Sequence, residues 1–338
     1  MSNWSELYQM ANQYKDMAMW KKLYDQDIFC VRTTKMKEPL YICIMGNAGE
    51  HFSLTAYIGI EGFASYINLL QSKNQFDREE AYIDQNYIQC SFEDRDMLTK
   101  KDLDRIKDLD LKYRGRNQWP LFRRNYPGTV PWYLSPKEME LMKLAFQGVF
   151  HLASIMGDDP VERYIQYPEK SILLERADNA DPAAKPEFRH QTIDFTEPVG
   201  ILYPSPRITD EQSLKKMRME PVRKQLKFNA AVTYLHTPVA DKEVPRFPLV
   251  LLVMERSSNL ILDTELIADF DSEYPKFMNS FMDCITRTGK PEEIYTLNER
   301  TYILLKEVCG QIGIPLHLDR KMKHMKKAIE ELRKYSGR

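Results

Sequence analysis

Residues 226–268 read LKFNAAVTYLHTPVADKEVPRFPLVLLVMERSSNLILDTELIA, and the fold turns on how this stretch is divided. Three apolar runs, Leu226–His236, Phe247–Met254 and Leu260–Ala268, are separated by a proline-containing loop and by the tight turn Ser257-Ser258-Asn259. Runs of that length bounded by turn residues read as strands, so the stretch predicts a three-stranded meander. After it the pattern alternates: helix Ser272–Thr288, strand Glu293–Leu297, helix Glu299–Ile312, strand Ile314–Leu318 and helix Met322–Lys334. A meander followed by alternating helix and strand predicts a mixed sheet covered by helices.

Upstream, Leu7, Met10, Ala11, Tyr14, Met17 and Ala18 recur at helical spacing within Trp4–Tyr24. Strands are expected at Ile28–Arg32, Leu40–Met45 and Phe52–Ile58, the last two joined by the turn Gly46-Asn47-Ala48-Gly49. A helix at Phe63–Leu70, a strand at Tyr87–Phe92, a capped helix from Thr99 through Leu109 and a helix at Ser135–Met156 complete an α+β unit. From Asp158 to Asp210 the chain becomes proline-dense and loses periodicity. The expected fold class is therefore α+β, or mixed α/β, in two parts. An N-terminal α+β domain spans 1–157, a loop-rich connection 158–210, and a C-terminal mixed-sheet domain 211–338. A length of 338 residues agrees with two cores.

Composition narrows the class of function. With 48 basic and 49 acidic side chains, no global field draws the chain to nucleic acid or anionic lipid. Residues 1–20 lack the apolar run of a signal peptide, and Phe247–Met254 is far shorter than the roughly 20 residues that span a bilayer. No membrane association is expected. Cys30, Cys43, Cys90, Cys284 and Cys309 are scattered without a C-x-x-C pair, which reads as reduced buried thiols, a cytoplasmic location and no disulfide-linked partner. The six histidines are dispersed singly, so no metal site and no cofactor is expected. Gly46–Gly49 is a hairpin turn and not a phosphate-binding loop, because no Gly-Lys-Ser/Thr follows it.

The set Tyr41–Met45, Gly46–His51, Tyr57–Gly62, Tyr126-Pro127-Gly128, Pro131–Leu134, Pro291–Tyr295 and Gly313-Ile314 resembles an uncharacterised bacterial family that pairs two domains of unknown function. That resemblance implies the division into two domains and implies no activity. The element order of the C-terminal half is similar to that of the ribonuclease H-like fold. Enzymes of that fold hold two metals about 3.5–4 Å apart with convergent carboxylates. Here Val222–Ala240 contains no Asp or Glu, so the first strand lacks its acid. Glu255, Glu299 and Asp319 are the remaining candidates for such a centre.

One further stretch suggests a site. Leu111–Pro136 has no acidic residue and interleaves Arg114, Arg116, Arg123 and Arg124 with Trp119, Trp132 and other aromatics, a pattern suited to phosphate contacts and base stacking. The competing reading, which we favour, anchors a long loop through Trp119-Pro120 and Pro131-Trp132 while the arginines pair with the acid-rich segment Glu93–Asp110. The helix Met322–Lys334 sets Met322, Met325, Ile329 and Leu332 on one stripe, so it reads as a terminal helix docked on its sheet with a solvated lysine face. The sequence therefore leans, without deciding, toward a non-enzymatic module binding a protein or nucleic acid. A metal-dependent nuclease is the alternative.

Overall fold

The computed structural model describes residues 3–177, 186–195, 203–240 and 244–336. The chain divides into two compact units, residues 1–127 with 131–201, and residues 128–130 with 202–338.

The first unit opens with helix α1 (Asn3–Met17), ended where Ala18 enters the left-handed region at φ 48°. Strands β1 (Phe29–Thr33), β2 (Leu40–Met45) and β3 (Ser53–Ile58) follow, then helices α2 (Gly59–Gln71) and α3 (Gln75–Ile83). Next come β4 (Tyr87–Glu93), α4 (Lys100–Asp108), β5 (Trp119–Asn125), α5 (Pro136–Met156), β6 (Ser171–Arg176) and β7 (Phe188–Ile193). The sheet order is β5-β4-β3-β2-β1-β6-β7, antiparallel throughout except that β1 and β6 run parallel.

Alternate residues of these strands face two different cores. Phe29, Val31, Ile42, Leu54, Cys90 and Phe122 share a core with Leu7, Tyr14, Phe146 and Val149 of α1 and α5. On the opposite face Cys30, Tyr41, Cys43 and Tyr57 pack with Phe63 and Tyr66 of α2.

The N-terminal strands and the capped helices agree with the sequence reading, and both α4 and α5 open with capping boxes, at Thr99/Asp102 and Ser135/Glu138. The stretch 158–210 differs from it. Instead of a loop-rich connection it supplies β6 and β7, which extend the first sheet beyond Gly157. β6 is an apolar run buried between β1 and β7, whereas β7 (FRHQTI) is a largely exposed edge strand with no apolar alternation to mark it.

The second unit contains helix α6 (Glu211–Met219), strands β8 (Val222–Tyr234), β9 (Leu249–Glu255) and β10 (Ile261–Ile267), then α7 (Phe270–Thr288), β11 (Lys290–Thr296), α8 (Glu299–Ile312), β12 (Leu316–Leu318) and α9 (Lys323–Ser336). The expected meander and alternation are present. The order is β10-β9-β8-β11-β12, with β8 to β10 antiparallel and β11 and β12 parallel to β8. Met322 just before α9 and Met325 and Ile329 within it are buried, and Arg333 of α9 donates from Nε to the Tyr234 carbonyl and from Nη2 to Thr233 Oγ1, both at 3.0 Å.

All five cysteines are free and buried. Among the described residues no helix is long and apolar enough to cross a membrane.

Candidate functional site

The basic, aromatic stretch 111–136 is built around a strand and not a continuous loop. In β5 Pro120, Phe122 and Arg124 point inward together, so an arginine occupies a core-facing position. Arg124 is 4% exposed. Its Nε donates to Glu138 Oε1 at 3.0 Å, Nη2 to Asn86 Oδ1 at 2.6 Å and Nη1 to the Tyr87 carbonyl at 3.0 Å, and its guanidinium lies 3.7 Å over the Tyr126 ring. Glu138, 6% exposed, also accepts from the Tyr126 hydroxyl at 2.5 Å and from the Ser135 N–H at 2.7 Å. Burial opposes its ionisation, and these hydrogen bonds outweigh burial to hold the carboxyl below its usual range.

Arg123 turns the other way and forms a two-pronged bond to Asp102, Nη2 to Oδ2 at 2.6 Å and Nη1 to Oδ1 at 3.1 Å, with Tyr133 beneath it. Asp102 lies in the acid-rich segment expected to pair with these arginines. Arg124 instead uses Glu138, outside that segment. Trp119 is half-buried, its ring 5.8 Å from Tyr113, with Arg95 6.0 Å over it. Trp132 is half-buried against Tyr133 at 5.3 Å and exchanges two 2.7 Å backbone hydrogen bonds with Arg124. Arg114 and Arg116 are exposed in the segment before β5. The structure therefore gathers four of the six residues into internal contacts and leaves these two arginines at the surface.

In the second unit the three carboxylates have separate partners. Glu255 closes the turn after β9, accepting from Ser257 N–H and Oγ at 2.9 and 2.8 Å and from Ser258 N–H at 2.6 Å, and Ser258, with its side chain foremost, and Ser257 hold the carboxyl pKa at about 2. Glu299, at the start of α8, pairs with Arg320. Asp319 accepts from Arg256 Nη2 at 2.9 Å and from the Lys321 N–H at 3.0 Å. Burial pushes the Asp319 carboxyl up, and Arg256 with the Lys321 N–H overrides it, so the net displacement is downward.

Sequence reading missed the residues around Asp319. Arg256 reaches from the end of β9 across the sheet, donating from Nη1 to Asn229 Oδ1 at 2.7 Å while its guanidinium lies 3.8 Å over Tyr295. Tyr295 donates to Glu293 at 2.7 Å, Lys227 reaches the same Glu293 oxygen at 2.8 Å, and His317 lies 5.0 Å from the Tyr295 ring. The strand register brings them together, since Glu293 aligns with Lys227 and Tyr295 with both Asn229 and His317. Only the period-2 alternation Lys227/Asn229 and Glu293/Tyr295 signals this face in the sequence. Among the described residues no group of three or more His, Cys, Asp or Glu side chains could hold a metal ion.

Residues 4–174 match the model of a domain of unknown function, DUF7309, which spans half of the chain. The chain belongs to the DUF7309 family. Residues 213–333 match a second domain of unknown function, DUF6930, so this DUF7309 member carries both. No curated protein matches it. Among solved structures it overlaps a chain of the simian T-cell lymphotropic virus intasome in complex with PP2A regulatory subunit B56 gamma, at 12% identity and a TM-score of 0.23. The overlap covers 38% of this chain and 42% of that one. A likeness that slight bears on neither fold nor function.

Proposed function

We propose that this DUF7309 member is a non-enzymatic cytoplasmic protein that binds a macromolecular partner, its C-terminal unit being a ribonuclease H-like module without a working metal centre. The strand order β10-β9-β8-β11-β12, with helices following β10, β11 and β12, supports the ribonuclease H-like reading. The observation that carries the non-enzymatic reading is the Arg256 guanidinium between Asn229 and Asp319. A metal centre needs carboxylates converging on a dication. Here the first strand offers the neutral amide of Asn229, and Asp319 is already satisfied by a protein cation. Glu255 and Glu299 face other partners. The buried thiols support a reducing compartment.

A protein is favoured over a nucleic acid as partner. Arg123 and Arg124 are held by Asp102 and Glu138, which leaves Arg114 and Arg116, with Lys112 beside them, as the candidates in that stretch for phosphate contact. The experiment is incubation of the full chain with single- and double-stranded DNA and RNA in Mg²⁺ or Mn²⁺, beside a Glu299→Ala, Asp319→Ala double variant. Equal, background cleavage is expected. Metal-dependent cleavage lost in the double variant would replace the binding reading with a nuclease.

A further inference from the structure

We infer that strand β10 is the docking edge for an extended segment of a partner protein in which apolar and basic residues alternate. The inference rests on the binding-module reading and adds the place and chemistry of the contact. Among the described residues β10 pairs with β9 alone, so its outer backbone row is open to another strand. Its two faces differ. Ile261, Thr264 and Leu266 align with Met254, Leu252 and Val250 on one face, and Ile261 and Leu266 are 47% and 55% exposed. Asp263 and Glu265 align with Val253 and Leu251 on the other.

The two acids are not equivalent. Asp263 accepts from Ser280 Oγ at 2.6 Å and from Arg287, which also donates to the Leu262 carbonyl at the register shift between Ile261 and Asp263. Glu265 forms no close ion pair among the described residues: the Lys276 ammonium, near enough to feel its charge, pairs with Glu273. The open stretch is thus Asp263–Ile267, with a carboxylate outside any close ion pair at its centre and Thr264 and Leu266 flanking it.

This charge placement selects the occupant. Of the registers in which two copies of β10 pair about a two-fold axis, those centred on Thr264 or Glu265 set Glu265 opposite Asp263 or Glu265, and like charges directly opposed destabilise a ladder, while the one centred on Leu266 sets Glu265 opposite Ile267. A second copy thus offers Glu265 no cation in any of these registers. A strand presenting Lys or Arg beside Glu265 and apolar residues beside Thr264 and Leu266 meets both faces at the period of 2 that a strand imposes.

The probe is a short fluorescein-labelled peptide of alternating valine and lysine, read by anisotropy against the full chain, with two controls: valine alternating with glutamate, and the lysine peptide N-methylated at alternate residues. Binding of the first peptide alone is expected, together with slowed amide exchange across residues 263–267. Glu265→Lys should weaken it roughly tenfold and admit the glutamate peptide, and Leu266→Lys should weaken it as well. Unfolding midpoints show whether these variants fold, and exchange in the unsubstituted chain decides the matter if they do not. No binding, equal binding of the N-methylated peptide, an unmoved affinity in a folded Glu265→Lys variant, or protection elsewhere would each overturn the inference. So would a dimer abolished by Leu266→Lys, which would give the edge to a second copy. A peptide failure without nuclease activity removes this inference alone, whereas metal-dependent cleavage removes the reading beneath it.

Discussion

Arg124 and Glu138 form a buried ion pair, Nε to Oε1 at 3.0 Å, that ties β5 to the first turn of α5. Arg124, one of the four candidate arginines, is therefore a structural cation whose remaining donors go to Asn86, Tyr87 and Asn125. Removing one member of a buried pair leaves the other charge uncompensated, at a cost of about 3–5 kcal/mol. Arg124→Ala should lower the urea midpoint accordingly, while Arg114→Ala and Arg116→Ala stay within about 0.5 kcal/mol. An unchanged midpoint for Arg124→Ala would show that the pair is not formed in solution.

The acid limb of stability should carry the signature of Asp102. Burial raises its carboxyl pKa, but the bonds from Arg123 and Thr99 prevail and the net displacement is downward. A carboxyl depressed in the folded state contributes stability that is complete above its unfolded pKa and is lost as pH falls through the folded value. Unfolding free energy should therefore fall below about pH 5, and Asp102→Asn should flatten that slope. Urea titrations at stepped pH read the effect, and identical slopes for the two proteins would rule it out.

The tryptophans test the anchoring reading. Both are half-buried, and each meets its neighbours edge-on or tilted, Trp119 against Tyr113 and Trp132 against Tyr133. A fully buried aromatic truncated to alanine costs about 3–5 kcal/mol, so roughly 2–3 kcal/mol is expected for each here. Midpoints that do not move would make them surface residues available for stacking.

Much of the fold was legible because it is local. The meander Leu226–Ala268, the hairpin turn at Gly46–Gly49 and the caps Thr99 and Ser135 each announce themselves within a few residues. β5 escaped because its inward row is Pro120, Phe122, Arg124, and a charged residue paired 14 positions away disguises a core-facing position. β7 escaped because an exposed edge strand has no apolar period. The Arg256 cluster escaped for a further reason: Asn229, Arg256, Tyr295 and Asp319 converge only through strand register across β8, β9, β11 and β12, which sequence spacing does not encode.

A close approach of α5 to β1 supplies the last test. A Cβ placed on Gly148 would meet Val31 Cγ2 at 2.5 Å and Cγ1 at 3.0 Å, so α5 sits against β1 at a depth that only glycine permits. Two effects oppose each other in Gly148→Ala. Alanine is favoured over glycine in a helix by about 1 kcal/mol, whereas overpacking a filled core costs about 1–3 kcal/mol. Because Val31 is wholly buried and its branched side chain has few rotamers, overpacking should prevail and the variant should lose about 1–2 kcal/mol. Val31→Ala opens the space that the new methyl needs. In that background Gly148→Ala should become neutral or stabilising, since only the helix preference remains, giving a coupling of at least about 1 kcal/mol between the two sites. Urea unfolding of the two single variants and the double variant measures it, and additive losses would show that α5 and β1 are farther apart than this contact requires.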